Sequence, residues 1–375
     1  MIERTIQTDL AAKLTDRKAL IIQGARQVGK TTLIDNLLRG RSDVLWINGD
    51  LVADQTLWGS NLSTQQLRRI LSGYQFLVVD EAQRINNIGL TAKIIIDGGF
   101  SVQPILSGSS TLNLTSSINE PLTGRKWSFE LYPFTWQELT RHYGFYAVLR
   151  QLEARLILGS YPEVVTETAD VARRLEEITS SYLYKDILDY GAIRKPELIV
   201  QLLRALAYQV GSQVSYNGLA NMLQVNNETI RRYIQLLEES YVIFRLAPLS
   251  TNPRKEITTS RKIYFVDNGI RNAVIGNLNP LQQRPDKGQL WENFVVSEFY
   301  KRARHAGHRA TLYYWRSKDG AEVDLVISHD GIYRAYEIKY NPKKRGSFAP
   351  SFVERYRPKE MHTVHSENFY TFLEA

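Results

Sequence analysis

The stretch Gly24-Ala25-Arg26-Gln27-Val28-Gly29-Lys30-Thr31, with Thr32 after it, has the residue types and spacing of a loop that cradles nucleotide phosphates. Its glycines let successive backbone N–H groups turn inward, and the helix expected from Thr32 onward adds the positive end of its dipole. Lys30 has the reach for the β- and γ-phosphates, and the Thr31 hydroxyl is a ligand for Mg²⁺. ATP and Mg²⁺ are therefore the expected cofactors. A second run, Phe76-Leu77-Val78-Val79-Asp80-Glu81, is apolar until it ends in two carboxylates. Asp80 is placed to hold the Mg²⁺ through water, and Glu81 to polarise the water that attacks the γ-phosphate. Ser107 or Ser109, at the end of a further apolar run, falls between those carboxylates and the γ-phosphate, and the sequence does not choose between them. Arg125, in Leu122-Thr123-Gly124-Arg125, is a candidate arginine finger donated across a subunit boundary.

A different chemistry is spelled near the other end of the chain. Glu292 lies on an amphipathic helix, Asp324 at the start of a strand, and Glu337 and Lys339 on the next strand. Alternation turns Glu337 and Lys339 to one face while Ile338 points into the core. Asp324 and Glu337, with Glu292 from the helix, make an oxygen set for one or two Mg²⁺ ions. Lys339 is then poised to lower the pKa of an attacking water or to steady a phosphate. This is a D…ExK arrangement, with Glu298 as the fallback for Glu292 on another side of the helix. The tract Lys343-Lys344-Arg345, with Arg355, Arg357 and Lys359 beyond it, carries the charge to follow a phosphate backbone.

Elements must position these groups. Apolar strands at 20–22, 44–47, 76–79, 104–107 and 128–131 alternate with amphipathic helices, which predicts a parallel sheet covered on both faces. Residues 140–195 read as a small helical lid, with apolar stripes through Leu152, Leu156 and Ile157 and later Ile178, Ile187 and Leu188, broken at Gly159-Ser160-Tyr161-Pro162. Residues 196–250 carry the pattern of a winged helix: helices at 197–210, 215–223 and 228–240, the third capped by Asn226, then a strand at 241–246. Ile230, Ile234 and Leu237 face its core, which leaves Asn227, Arg231, Arg232 and Gln235 on the face that a recognition helix lays in a major groove.

The bulk composition agrees with this organisation. At 375 residues the chain exceeds the size at which one core keeps growing. A net charge of +8 favours polyanionic partners. The absence of cysteine excludes disulfides, thiolate zinc sites and cysteine nucleophiles, and fits a reducing, cytoplasmic setting. No run of about 18 apolar residues exists, so no membrane span is expected.

The phosphate loop, Val79-Asp80-Glu81, Ser107-Gly108-Ser109-Ser110 and 122–125 followed by Leu131-Tyr132-Pro133-Phe134 together closely resemble a family of bacterial and archaeal AAA+ ATPases. Gly159-Ser160-Tyr161-Pro162-Glu163, Phe265-Val266-Asp267-Asn268-Gly269 and the terminal D…ExK match it too. The resemblance covers essentially the whole chain. It implies an α/β fold class: an AAA+ P-loop NTPase core (1–139), a helical lid (140–195), a winged helix (196–250) and a restriction-endonuclease-like PD-(D/E)XK domain (251–375). It further implies a homo-oligomer, with a hexameric ring as one form, since AAA+ sites are completed by a neighbour's arginine. The expectation is an Mg²⁺-dependent ATPase acting on DNA, selective for structure rather than sequence, whose C-terminal domain binds and cleaves or only grips DNA. A DNA-remodelling motor with a silent nuclease fold and an ATP-switched scaffold for a protein partner are the rival expectations.

Overall fold

The computed structural model of the chain describes residues 1–109, 120–167, 169–182, 196–251, 261–307 and 309–374. Ser110 of the serine run, and Ile187 and Leu188 of the expected lid, lie outside the described residues. Two compact units form, one from Glu3–Tyr132 joined by Glu239–Tyr241, the other from Pro133–Glu238 and Val242–Ala375. Among the described residues no helix is long and apolar enough to cross a membrane.

The first unit is built on five strands, β1 (Ala19–Gly24), β2 (Val44–Asn48), β3 (Phe76–Asp80), β4 (Gln103–Gly108) and β5 (Lys126–Leu131), in the order β2-β3-β4-β1-β5. Every pairing is parallel. A parallel sheet is covered on both faces, so its central strands are apolar without alternation, and all six residues of β1 are buried. Ile21, Leu77, Val79 and Leu106 pack with Ile88, Ala92 and Ile95 of the helix Ile88–Asp97 in one apolar cluster. Parallel strands end on the same side. The topology therefore gathers Gly24, Asp80 and Gly108, with β4 lying between the phosphate-loop strand and the acidic strand.

The second unit opens with the short helices Trp136–Tyr143, Phe145–Arg150, Leu152–Leu158, Pro162–Thr166 and Val171–Glu177, the first of which begins before residue 140. Beyond them come the helix Pro196–Tyr208, β6 (Gln213–Val214), the helices Tyr216–Met222 and Asn227–Glu239, β7 (Ile243–Pro248) and β8 (Arg261–Phe265). The Asn226 side chain accepts a hydrogen bond of 2.7 Å from the Thr229 N–H, which caps the helix that follows. Then follow the helix Lys287–His305, β9 (Ala310–Arg316), β10 (Glu322–His329), β11 (Ile332–Ile338), the helix Pro350–Tyr356 and β12 (Glu360–Val364).

One sheet of seven strands, β12-β11-β10-β9-β7-β8-β6, spans this unit. Its junction is the parallel pairing of β7 with β9, which sets Ala247 against Tyr313 and Pro248 against Tyr314. Strands on either side of residue 250 thus share one sheet. Val323 faces Trp315 while Val326 faces Tyr313, so Asp324 and Leu325 together oppose one residue of β9. That bulge adds a residue to β10 and re-aims the side chains beside it.

Candidate functional site

In the first unit β1 delivers the chain into the phosphate loop, and the helix Lys30–Leu37 leaves it. Gly24 has no room for a side chain, because an added Cβ would lie 2.1 Å from the Leu131 carbonyl oxygen. Gly29 sits at φ +93, in the left-handed region where a side chain is strained, and turns the loop into the helix. Gln27 is also left-handed, at φ 56, while Ala25 and Val28 are buried beneath the loop.

Lys30 is buried, and its ammonium donates to the Gly24 and Ala25 carbonyls at 3.0 and 2.9 Å. The cation is thereby held inside the curve of the loop. The Thr31 hydroxyl donates to Asp80 Oδ2 at 2.6 Å, joining the helix start to the end of β3. Ser107 donates to the other carboxylate oxygen, Oδ1 of Asp80. Ser109 accepts from the Gln83 amide at 3.2 Å, and the same amide donates to Glu81 Oε2. The two serines thus divide the acidic pair: Ser107 holds Asp80, and Ser109 reaches Glu81 through Gln83. Glu81 itself adopts φ 48 and ψ 45, a conformation costly for a non-glycine residue and typical of strain held at working sites.

Two contributors here were not expected from the sequence. Gln83 is one. The other is Arg4, whose buried guanidinium donates to the Val28 carbonyl at 2.9 Å and to the Tyr132 carbonyl. It ties the phosphate loop to the residue that follows β5. Its partners lie 24 and 128 positions away, so no local pattern signals the role. Arg4→Met leaves two buried carbonyls unsatisfied, each at a cost of about 1–3 kcal/mol. The expected result is a rise in KM for ATP of roughly tenfold or more with a smaller change in kcat. Steady-state ATP turnover checks it, and an unchanged KM removes the loop-positioning role.

Arg125 falls elsewhere. It immediately precedes β5, whose parallel register with β1 sets Lys126 beside Ala19 and Leu131 beside Gly24. Arg125 therefore lies about 20 Å from the phosphate loop, at the opposite end of the sheet. Its guanidinium pairs with Asp97 at 2.6 Å. It does not serve the phosphate loop of its own chain.

The second unit assembles the other constellation. Asp324 Oδ2 accepts from the Ile338 backbone N–H at 2.7 Å and from the Lys339 ammonium at 3.0 Å. Lys339 also pairs with Glu337 Oε2 at 2.8 Å. Asp324, Glu337 and Lys339 are thus brought together, with the two carboxylates only 8% and 5% exposed. Among the described residues, Oε1 of Glu337 is buried with no hydrogen-bond partner. Burial and the neighbouring Asp324 charge push the Glu337 carboxyl up to about 7. Burial alone would lower the Lys339 pKa, but the Asp324 and Glu337 carboxylates outweigh it and raise it.

Glu292 belongs to an adjoining group. Its Oε1 accepts from the Tyr264 hydroxyl at 2.7 Å and pairs with Lys262 at 3.3 Å. Lys262, 2% exposed, also pairs with Glu322. Burial raises the Glu292 pKa against the pull of Lys262. Among the described residues no three His, Cys, Asp or Glu side chains converge as a metal-ligand set. The Asp324 charge nonetheless reaches Glu292 and adds to the rise of its pKa. Glu298, the fallback, is a core residue: its carboxylate accepts from the Trp136 N–H at 2.7 Å and from Lys301 at 2.9 Å. Lys262 and Tyr264 were missed, although a lysine directly ahead of the apolar run Ile263-Tyr264-Phe265 was a visible signal.

On the helix Asn227–Glu239, Ile230, Ile234 and Leu237 are buried, while Arg231, Arg232 and Gln235 are exposed. Asn227 is half-buried; it accepts from Arg231 Nε at 2.7 Å and donates to Asn217. Arg231 also lies over the Tyr216 ring at 5.2 Å.

Residues 16–140 match the family described as AAA domain. Residues 149–281 and 287–371 match two domains of unknown function, DUF8612 and DUF4143. An uncharacterised protein of Mycobacterium tuberculosis is 30% identical over 353 residues, an alignment covering 90% of this chain and 74% of that protein. An uncharacterised protein of Methanocaldococcus jannaschii is 25% identical over 371 residues, covering 91% of this chain and 80% of that one. Among solved structures, a Walker-type ATPase of Pyrococcus abyssi is similar in fold, with TM-score 0.52 and 15% identity, covering 73% of this chain and 96% of that one.

Proposed function

This chain belongs to the same family as the mycobacterial relative and carries an AAA domain at residues 16–140, and from that premise we propose that it is an Mg²⁺-dependent ATPase acting on DNA. Its N-terminal unit is a P-loop ATPase domain of the AAA type. The observation that carries the reading is the gathering at one sheet end of a phosphate cradle holding Lys30, of Asp80 bonded by Thr31 and Ser107, and of Glu81 bonded by Gln83.

The oxygen donors Thr31 and Asp80, 2.6 Å apart at a helix start, fit a hard divalent cation. An Mg²⁺ ion held by Thr31 and Asp80 would supply neutralisation of the phosphate charge when ATP is bound. Residues 24–32 cradle the phosphates, Lys30 meets the γ-phosphate charge, and Glu81, steered by Gln83, orients the attacking water. Arg125 then serves a neighbouring copy in a homo-oligomer, leaving Asp97 to do so.

For the rest of the chain we assign a helical lid at 140–195, a winged helix at 196–250 and a restriction-endonuclease-like domain at 251–375, the last two sharing one sheet. The order helix, β6, helix, helix, β7 within 196–250 supports the winged helix, and β8, beyond residue 250, pairs antiparallel with both its strands. Its exposed Arg231, Arg232 and Gln235, with Asn227, are the proposed DNA contacts. The Glu337 oxygen that has no partner among the described residues, beside Asp324, fits a divalent cation, and Lys339 is placed to steady a scissile phosphate. A second reading, a DNA-remodelling motor with a silent nuclease fold, is favoured by the pairing of Glu292 with Lys262 and Tyr264 instead of with the other carboxylates.

ATP turnover measured with and without single-stranded, duplex and four-way-junction DNA tests the proposal. Stimulation by DNA is expected. Turnover indifferent to every DNA would turn the protein into an ATP-switched scaffold for a protein partner.

A further inference from the structure

We propose that the loop Lys343-Lys344-Arg345 is a phosphate-gripping rim, fixed beside the Asp324–Glu337–Lys339 cluster, and that its ligand is the backbone of a polynucleotide. The inference rests on the DNA reading above and locates where the C-terminal domain would hold its substrate.

The loop returns onto the cluster. After β11 the chain turns tightly at Asn341, whose side chain accepts from the Lys343 N–H at 2.9 Å and whose carbonyl accepts from the Lys344 N–H at 3.0 Å. Gly346 then lies against the stem of Glu337: a Cβ added there would stand 2.3 Å from the Glu337 Cβ and 2.7 Å from its Cγ. Its N–H donates to the Thr363 hydroxyl at 3.1 Å, and Thr363 is the β12 residue that faces Glu337 in the parallel register. Glycine is thus required by the close approach, which fixes the loop over one pair of residues in the sheet.

The three cations ahead of Gly346 are exposed, and among the described residues none of them pairs with a carboxylate. A solvated charge run usually needs no place. This one is anchored to the stem of a buried carboxylate, with Lys339 already at the cluster. Four cations within seven residues then border the two carboxylates. A duplex or single strand laid across the cluster would meet carboxylates where one phosphate is addressed and cations at the phosphates alongside.

The test is fluorescence anisotropy of labelled duplex and single-stranded DNA, without divalent cations, over a range of salt. The proteins are the full-length wild type, a triple variant (Lys343→Ala, Lys344→Ala, Arg345→Ala) and Gly346→Ala. The triple variant is expected to weaken binding roughly tenfold or more at low salt and to flatten the plot of log affinity against log salt by about three units. Gly346→Ala, with every charge retained, is expected to weaken binding in the same direction. DNA-independent ATP turnover stays at the wild-type rate in both, and an unchanged circular-dichroism spectrum and thermal-unfolding transition report that the C-terminal domain, which is separate from the ATP site, remains folded. Wild type that binds while the triple variant matches it in affinity and slope overturns the inference alone. Gly346→Ala binding as wild type overturns the anchoring. Wild type that binds no DNA overturns the DNA reading and the inference with it. Binding of inorganic triphosphate lost in the triple variant, with DNA binding unchanged, makes the loop a polyphosphate site instead.

Discussion

Replacing Lys30 by alanine is expected to lower ATP turnover by on the order of 10²–10³-fold or more, a loss comparable to deleting a preorganised charge donor in a water-poor site. The ammonium is buried and already directed into the loop by the Gly24 and Ala25 carbonyls. A phosphate arriving there meets a cation that needs little reorganisation. Without it, the developing γ-phosphate charge faces two carbonyl oxygens and no compensation. Glu81→Gln separates binding from chemistry. It keeps the side-chain shape and leaves the phosphate cradle whole, so ATP binding should persist while hydrolysis falls by roughly 10²–10⁴-fold. Turnover kinetics beside a fluorescent-nucleotide titration read both effects. Lys30→Ala hydrolysing ATP at the wild-type rate would remove the phosphate-loop assignment, and normal hydrolysis by Glu81→Gln would move water activation to another group.

Why the first site was so readable, and the second less so, follows from the range of the interactions that build them. A parallel strand buried on both faces must be apolar at successive positions, so residues 20–22 and 76–79 announce themselves locally. The loop chemistry is local as well: two glycines, a lysine and a threonine within eight residues. Asn226 was equally legible, because its cap bond spans three residues. The choice between Ser107 and Ser109 was not, since it depends on Gln83 lying between Ser109 and Glu81. Nor was Arg4, whose partners come from opposite ends of the unit's sequence. The pairing of β7 with β9 joins segments more than sixty residues apart and leaves no periodicity to find. Glu292 and Glu298 show the same limit on one helix. Both looked like plausible acids by spacing. Only the tertiary neighbours reveal that one answers Lys262 and Tyr264 and the other answers Trp136 and Lys301. The bulge at Asp324 is likewise a property of two strands together.

Asp324→Asn is the substitution that divides the readings of the C-terminal domain, with expected loss of divalent-cation-dependent DNA cleavage by on the order of 10³-fold, about 4 kcal/mol of transition-state stabilisation. Asparagine preserves an oxygen for the Ile338 N–H, which donates to Asp324 at 2.7 Å, so the β10–β11 register should survive. What it removes is the negative charge that Lys339 and a metal ion would share with Glu337. Cleavage of labelled single-stranded, duplex and junction DNA with Mg²⁺ or Mn²⁺, with and without ATP, reads the effect beside Lys30→Ala. Cleavage lost in Asp324→Asn assigns the chemistry to this cluster, and its loss in Lys30→Ala as well makes ATP turnover a gate for cutting. Cleavage by the wild type that persists in Asp324→Asn would place any nuclease centre elsewhere. A wild type that separates strands with ATP but never cuts would give Lys339 a different meaning. Its ammonium, held between two buried carboxylates, would then be the permanent counter-cation of a domain that grips DNA while the ATPase moves it.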